Sequence, residues 1–202
     1  MEKQNIVAVF VGPSGVGKDS VVAELIKKYP DKYARFVGTT TRPKRPGEKH
    51  GVNYFYVDEA RFKQMLDNGE VFEHTFHYGA YRGMSKEGIE QVWKEGKTAL
   101  KDCNMDGVTG LRKAYGKNAI AILVKAPRDV VLQRLKNRGD CEETQKIRIA
   151  DYDEMMKLES QLDFSINNKD LEKAAEDAHR IIENIIKKQK QRSACDGCLQ
   201  QK

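Results

Sequence analysis

Along the chain, short apolar runs alternate with stretches whose apolar residues recur at helical spacing. Ile6 to Val11 is a continuous apolar run of strand length, and Val21, Val22, Leu25 and Ile26 mark one face of a helix. Between them lies Gly12-Pro13-Ser14-Gly15-Val16-Gly17-Lys18-Asp19-Ser20, so the chain opens as strand, glycine loop, helix. Phe36 to Thr41 is rich in strand formers, and Asn53 to Val57 is aromatic and β-branched. Asp58 is placed to cap a helix that carries Phe62, Met65 and Leu66 on one face and stops near Asn68-Gly69. Val71 to Tyr78 reads as a strand and Gly79 to Ser85 as a turn. Ser85 then caps a helix to about Gly96, with Ile89, Val92 and Trp93 facing inward. Apolar runs at Thr98 to Cys103 and Ala119 to Val124 flank a helix around Val108 to Tyr115. Arg128 to Arg138 is amphipathic, Gly139 to Met156 is charged, and Phe164 to Ile166 is a last strand before a terminal helix. The alternation predicts an α/β fold built on a parallel sheet flanked by helices.

At 202 residues the chain is long enough for one domain with a large core and too short to promise two. No apolar run approaches the length needed to cross a bilayer, and the polar start from Met1 to Asn5 lacks a signal-peptide pattern, so a cytoplasmic protein without a membrane partner is expected. The net charge of +6 raises the question of nucleic acid, but much of it lies in short clusters. Arg42-Pro43-Lys44-Arg45 suits a small phosphorylated ligand equally well, and Lys187 to Arg192 reads as a solvated helix end. No aromatic-interleaved basic stripe is present, so nucleic acid is not expected as a partner. Cys103, Cys141, Cys195 and Cys198 are too few for a disulfide scaffold, and Cys195-Asp196-Gly197-Cys198 lacks the second pair a zinc site would need.

The glycine loop carries the clearest chemistry. Such a loop turns successive backbone N–H groups and the positive end of a helix toward one point, where a phosphate fits. Gly12, Pro13, Ser14, Gly15, Val16, Gly17, Lys18, Asp19 and Ser20 are therefore expected to bind a nucleoside triphosphate, with Lys18 serving its β/γ-phosphates. The position after Lys18, where a hydroxyl commonly faces Mg²⁺, is Asp19. Ser20 is the expected Mg²⁺-side hydroxyl, and Asp19 could serve the metal or repel phosphate. Further on, Arg42 and Arg45 stand three apart on a proline-bounded loop, with Tyr54 following. Guanidinium forks grip two phosphate oxygens at once. The residues alone leave open whether this is a monophosphate clamp or an exposed basic turn.

The glycine loop, Thr40-Thr41-Arg42-Pro43-Lys44-Arg45-Pro46-Gly47-Glu48, Gly51-Val52-Asn53-Tyr54, Gly69-Glu70-Val71-Phe72-Glu73 and Gly83-Met84-Ser85 together resemble the guanylate kinase family of P-loop nucleoside monophosphate kinases. The similarity spans Ile6 to Ile185. It implies a P-loop NTPase-type core (about 4–37, 98–137 and 157–188), a small α/β acceptor-binding subdomain (about 38–97), a helical lid (about 138–156) and a disordered tail (189–202). It further implies transfer of the γ-phosphoryl of ATP, with Mg²⁺, to GMP or dGMP. By that resemblance Arg42, Arg45, Tyr54 and Arg82 hold the acceptor phosphate, and Glu73, Met84 and Asn104 stand at the base. Lys18, Arg138 and Arg148 surround the transferred group, with Arg134 nearby, and Asn167, with Asn168, belongs to the adenine-side loop. A carboxylate suits guanine, whose N1–H and amine are adjacent donors.

Four positions depart from the family pattern: Gly38 for Ser, Arg82 for a phosphate-touching Tyr, Met84 for a base-contacting Ser or Thr, and Asn104 for Asp. Phosphate gripping is thus expected to persist while base reading is altered. Two other functions are compatible with such a chain. One is a kinase of the same fold acting on another nucleoside monophosphate or a ribose bisphosphate. The other is a non-catalytic binding module, which usually loses the loop lysine and glycines that this chain keeps. A monomer or a homodimer is expected.

Overall fold

The computed structural model describes residues 5–77, 79–137 and 141–199, with the side chains of 77 and 192–199 left outside that description. The chain forms two compact units, Met1–Val11 with Tyr29–Ile120, and Gly12–Lys28 with Ala121–Lys202.

In the first unit, β1 (Val7–Val11), β2 (Tyr33–Arg35) and β7 (Thr98–Asp102) are parallel, in the order β2-β7-β1. All five residues of β1 are buried, as expected for a strand covered on both faces. A second, mixed sheet has the order β4-β3-β6-β5, from β3 (Thr39–Thr40), β4 (Phe55–Tyr56), β5 (Val71–His77) and β6 (Ala80–Ser85). It lies within the span expected for the acceptor subdomain. α2 (Glu59–Asp67) follows Asp58, whose carboxylate accepts from Arg61 N at 2.7 Å as the expected N-cap. Phe62 and Met65 of this helix pack on Val71, and the Phe62 ring stacks on Tyr81 at 5.2 Å. α3 (Lys86–Lys94) buries Ile89, Val92 and Trp93, and the Trp93 indole N–H donates to Ile6 O at 2.8 Å. α4 (Met105–Tyr115) completes the unit.

In the second unit, α1 (Lys18–Lys28) buries Val21, Val22 and Leu25. β8 (Ala119–Lys125), which begins at the boundary between units, pairs in parallel with β9 (Phe164–Asn167). α5 (Arg128–Asn137) and α6 (Glu142–Lys157) lie between these strands in the chain. α7 (Leu171–Leu199) packs against α1 along the small, buried residues Ala174, Ala175 and Ala178.

Three expectations are corrected. Gly79 to Ser85 is not a turn, because Ala80–Ser85 forms β6, paired antiparallel with β5 from His77↔Ala80 to Val71↔Ser85. The glycines that suggested a turn serve other ends: Gly79 sits at the hairpin tip, while Gly83 pairs across with His74 inside the ladder. Ser85 precedes α3 but makes no side-chain cap; its hydroxyl is buried and accepts from Thr39 Oγ1 at 2.8 Å, tying β6 to β3. The stretch 189–202, read as a disordered tail, is helical through Leu199, since no proline or glycine interrupts α7 before Gly197 and its Lys, Gln and Arg residues favour helix. The thiols of Cys195 and Cys198 lie outside the described residues.

Asp58→Ala removes the α2 cap and is expected to cost about 1 kcal/mol in urea-unfolding stability, with the m-value unchanged. No loss would show that packing of Phe62 and Met65 alone sets the start of this helix.

Candidate active site

The glycine loop belongs to the second unit, and its carbonyls are tied down from behind. Lys18 curls back so that its ammonium donates to Gly12 O at 2.7 Å and Pro13 O at 3.0 Å. Val16 O accepts from Asn168 Nδ2 at 2.7 Å and from Arg134 Nη1 at 3.1 Å. Gly17 O accepts from Val21 N at 3.0 Å, opening α1. In a trans peptide the C=O and the following N–H point in opposite directions. Anchored carbonyls therefore aim the intervening amides the other way, toward where an anion would sit. Gly17 is required by close approach: a Cβ there would lie 2.4 Å from Asn168 Nδ2.

Asn168 and Arg134 thus act on the loop itself. Asn168 is 2% exposed, and Arg134 also bonds its main-chain oxygen at 2.9 Å. Arg134, expected near the triphosphate, buttresses the loop. Asn167, the expected adenine-side residue, ends β9 exposed, its side-chain oxygen accepting from Lys169 N at 3.1 Å. The resemblance places Asn167 and Asn168 together in the adenine-side loop; the Asn168 side chain bonds the glycine loop. Asp19 and Ser20 are exposed in the first turn of α1, where a carboxylate complements the positive helix end. The loop residues Gly12, Pro13 and Ser14 line a cavity of about 410 Å³ with Asp151, Glu154, Met155 and Leu158. α6 therefore faces the loop with carboxylates. Arg148 lies one turn earlier on that helix, half-buried and not on the cavity wall. Arg138 lies outside the described residues.

The residues expected at the acceptor belong to the first unit. Arg42 is only 15% exposed at its side chain, and its Nη2 donates to both Glu48 oxygens at 2.8 and 3.0 Å. Its Nη1 donates to Pro43 O at 2.7 Å, and the guanidinium sits 5.9 Å from the Tyr54 ring centre. Glu48 also accepts from Arg45 N at 2.8 Å, so one carboxylate fixes the Arg42 head and the backbone at Arg45, whose side chain is exposed. These bonds hold the Glu48 carboxyl down at about 2, from an ordinary 4.5.

A cavity of about 180 Å³ is lined by Gly38, Tyr54, Glu73, His74, Thr75, Arg82, Gly83, Met84, Lys101 and Asp102. Strand register explains the set: Glu73 stands opposite Met84 and Thr75 opposite Arg82, so all four side chains share one face of the β5–β6 pair. Burial pushes the Glu73 carboxyl above its ordinary value, while the Asn104 N–H and the Lys101 charge draw it back. Met84 is 3% exposed, and the Nε of Arg82 is buried with no partner among the described residues. Asn104, expected at the base, does not line the cavity: its side-chain oxygen accepts from Gly107 N at 2.9 Å and caps α4. Lys101 and Asp102 begin the string 101–107, a blurred copy of the family's Asp-x-Asp-x-Gln-Gly motif, and both line the cavity although the resemblance gives neither a role. Gly38 has no room for the usual Ser, since a Cβ would lie 2.5 Å from Gly83 O.

Two outcomes follow from these contacts. Because Glu48 is depressed in the folded state, its contribution to stability is complete above the unfolded value near 4.5 and is lost as pH falls from there toward 2. Glu48→Gln should therefore lower stability at neutral pH and flatten the acid limb between pH 4.5 and 2 in denaturant titrations; an unchanged limb contradicts the pairing. Asn168→Ala should cost about 1–3 kcal/mol and weaken ATP binding in calorimetry, because Val16 O loses a buried donor. Unaltered ATP affinity would separate the loop's shape from this residue.

The sequence matches the family described as Guanylate kinase over residues 4–185. The guanylate kinase of Chlorobium chlorochromatii is 31% identical over 190 residues, covering 92% of this chain and 98% of the relative. That of Helicobacter pylori is 36% identical over 181 residues, 88% of this chain and 86% of the relative. Among solved structures, the guanylate kinase of Anaplasma phagocytophilum aligns with a TM-score of 0.60 at 22% identity, over 91% of this chain and 87% of that one, and shares the fold. The glycine loop, the Arg42–Glu48 loop and the Glu73 strand are thus the parts of a chain that belongs to the guanylate kinase family.

Proposed function

We propose that the protein transfers the γ-phosphoryl group of ATP to GMP or dGMP, giving ADP and GDP or dGDP, in the cytoplasm. The observation that carries this reading is the shared β5–β6 face, which sets the Glu73 carboxylate and the Arg82 cation diagonally across the strand pair on one cavity wall. Diagonal positions across a strand pair are about 7–8 Å apart. Such a wall suits a ligand with hydrogen-bond donors at one end and an anion at the other.

On the donor side, the amides of Gly12 to Gly17 and the Lys18 ammonium hold the β- and γ-phosphates. The Gly12 and Pro13 carbonyls hold the Lys18 ammonium at the loop, where it meets the phosphate oxygens. Ser20 supplies the protein oxygen for Mg²⁺. No cluster of three His, Cys, Asp or Glu residues able to hold a metal occurs among the described residues, and this sparse donor set suits Mg²⁺, which binds largely through phosphates and water. When bound, Mg²⁺ neutralises charge on the transferring group.

On the acceptor side, Arg42, Arg45, Arg82 and the Tyr54 hydroxyl grip the monophosphate, with Arg42 held in place by Glu48. Glu73 accepts from the guanine N1–H and amine, which requires its charged form although burial opposes it. Arg138 and Arg148 place positive charge around the group in flight. The protein's contribution is alignment and electrostatics, since phosphoryl transfer asks for little covalent chemistry.

A second reading, a different phosphorylated acceptor, is favoured by Met84, whose buried thioether offers the base no useful hydrogen bond. A coupled assay with ATP, Mg²⁺ and GMP, dGMP, AMP, CMP, UMP and ribose 1,5-bisphosphate decides between them. ADP formation with GMP and dGMP should exceed that with the other nucleotides by about a hundredfold or more. Turnover with the ribose bisphosphate and none with GMP would overturn the assignment.

A further inference from the structure

The cavity that holds Glu73 also holds Lys101, which follows the buried residues Ala99 and Leu100 in β7. Its side chain is half-buried, with the ammonium 5.2 Å from the Phe36 ring centre and about 3.5 Å from where a Cβ on Gly38 would stand. The ammonium thus lies at ordinary contact distance beside Gly38. Lys101 has no hydrogen-bond partner among the described residues. Its carboxylate neighbour Asp102 is engaged by Arg35 at 3.2 Å. Burial pulls the Lys101 pKa down, with Asp102 and Glu73 opposing that fall. An ammonium so placed is a donor in want of an acceptor, and leaving it unmatched against a bound ligand is costly.

Resting on the guanylate kinase reading above, we propose that Lys101 reads the purine O6: Glu73 accepts from N1–H and the amine, while the Lys101 ammonium donates to the adjacent carbonyl oxygen. Together they form an acceptor and a donor matched to one edge of a 6-oxopurine. Met84, buried on the same wall, supplies no donor, so the task falls to the lysine. Adenine would direct its exocyclic N–H at the ammonium, donor against donor, and leave both Lys101 and Glu73 unsatisfied. The pair therefore selects by repulsion as well as by attraction.

The test compares GMP, IMP and 6-thio-GMP as acceptors for the wild type and Lys101→Met. All three nucleotides keep N1–H. IMP lacks the amine that faces Glu73, and 6-thio-GMP replaces the oxygen by sulfur, a weak acceptor. The wild type should prefer GMP over 6-thio-GMP by about tenfold or more in kcat/KM, the size of a hydrogen bond to a charged group. Lys101→Met should lower kcat/KM for GMP and IMP alike by about 10- to 100-fold and leave 6-thio-GMP within about twofold. Equal loss on all three nucleotides would overturn the proposal, since Lys101 would then serve only Glu73 or the fold. Equal use of GMP and 6-thio-GMP by the wild type would overturn it without any variant. Turnover of ribose 1,5-bisphosphate and of no purine nucleotide would instead overturn the proposed function, and the role of Lys101 with it.

Discussion

A buried peptide group must bond with something, and in the glycine loop that requirement fixes which way the backbone faces. The carbonyls of Gly12, Pro13 and Val16 find their donors in side chains of the protein, Lys18 on one side and Asn168 with Arg134 on the other. Had those oxygens been left to solvent, the loop could rotate its peptides at small cost and offer a phosphate carbonyls instead of amides. The phosphate-binding character of the loop thus depends on residues some 120 to 150 positions later in the chain, as much as on its own glycines.

The acceptor cavity works by a different economy of charge. Glu73, Asp102, Arg82, Lys101 and, nearby, Arg35 bring both signs into a half-buried space, where each charge is tolerable only with a counterpart. Arg35 answers Asp102, and Lys101 lies within the field of Glu73. The network is neutral enough to fold and still leaves donors and acceptors facing the cavity.

The motif-bearing segments were legible in sequence because their physics is local. The glycine loop, the proline-bounded arginines, the Asp58 cap and the apolar strands β1, β7 and β8 each declare themselves within ten residues. What the sequence obscured depended on pairing across distance. β6 was hidden because glycines at 79 and 83 resemble turn residues until β5 is laid beside them. Ser85 looked like a helix cap, but its hydroxyl is claimed by Thr39, 46 residues away. Asn104, expected at the base, has a second task that its neighbours did not reveal, because its oxygen caps the helix it begins. The roles of Asn168 and Lys101 were not readable from their neighbours, since they lie in a loop and a cavity assembled from remote segments.

The lock that Glu48 places on Arg42 sets the terms on which, in the proposed reading, this loop would meet a phosphate. A free arginine surrenders much rotamer entropy when it grips a phosphate, whereas Arg42 has surrendered it during folding. The same carboxylate cancels part of the guanidinium charge, so long-range attraction for an anion is weaker than the count of arginines suggests. The site has exchanged some electrostatic pull for readiness, a compromise that suits an enzyme whose product must leave as easily as its substrate arrives.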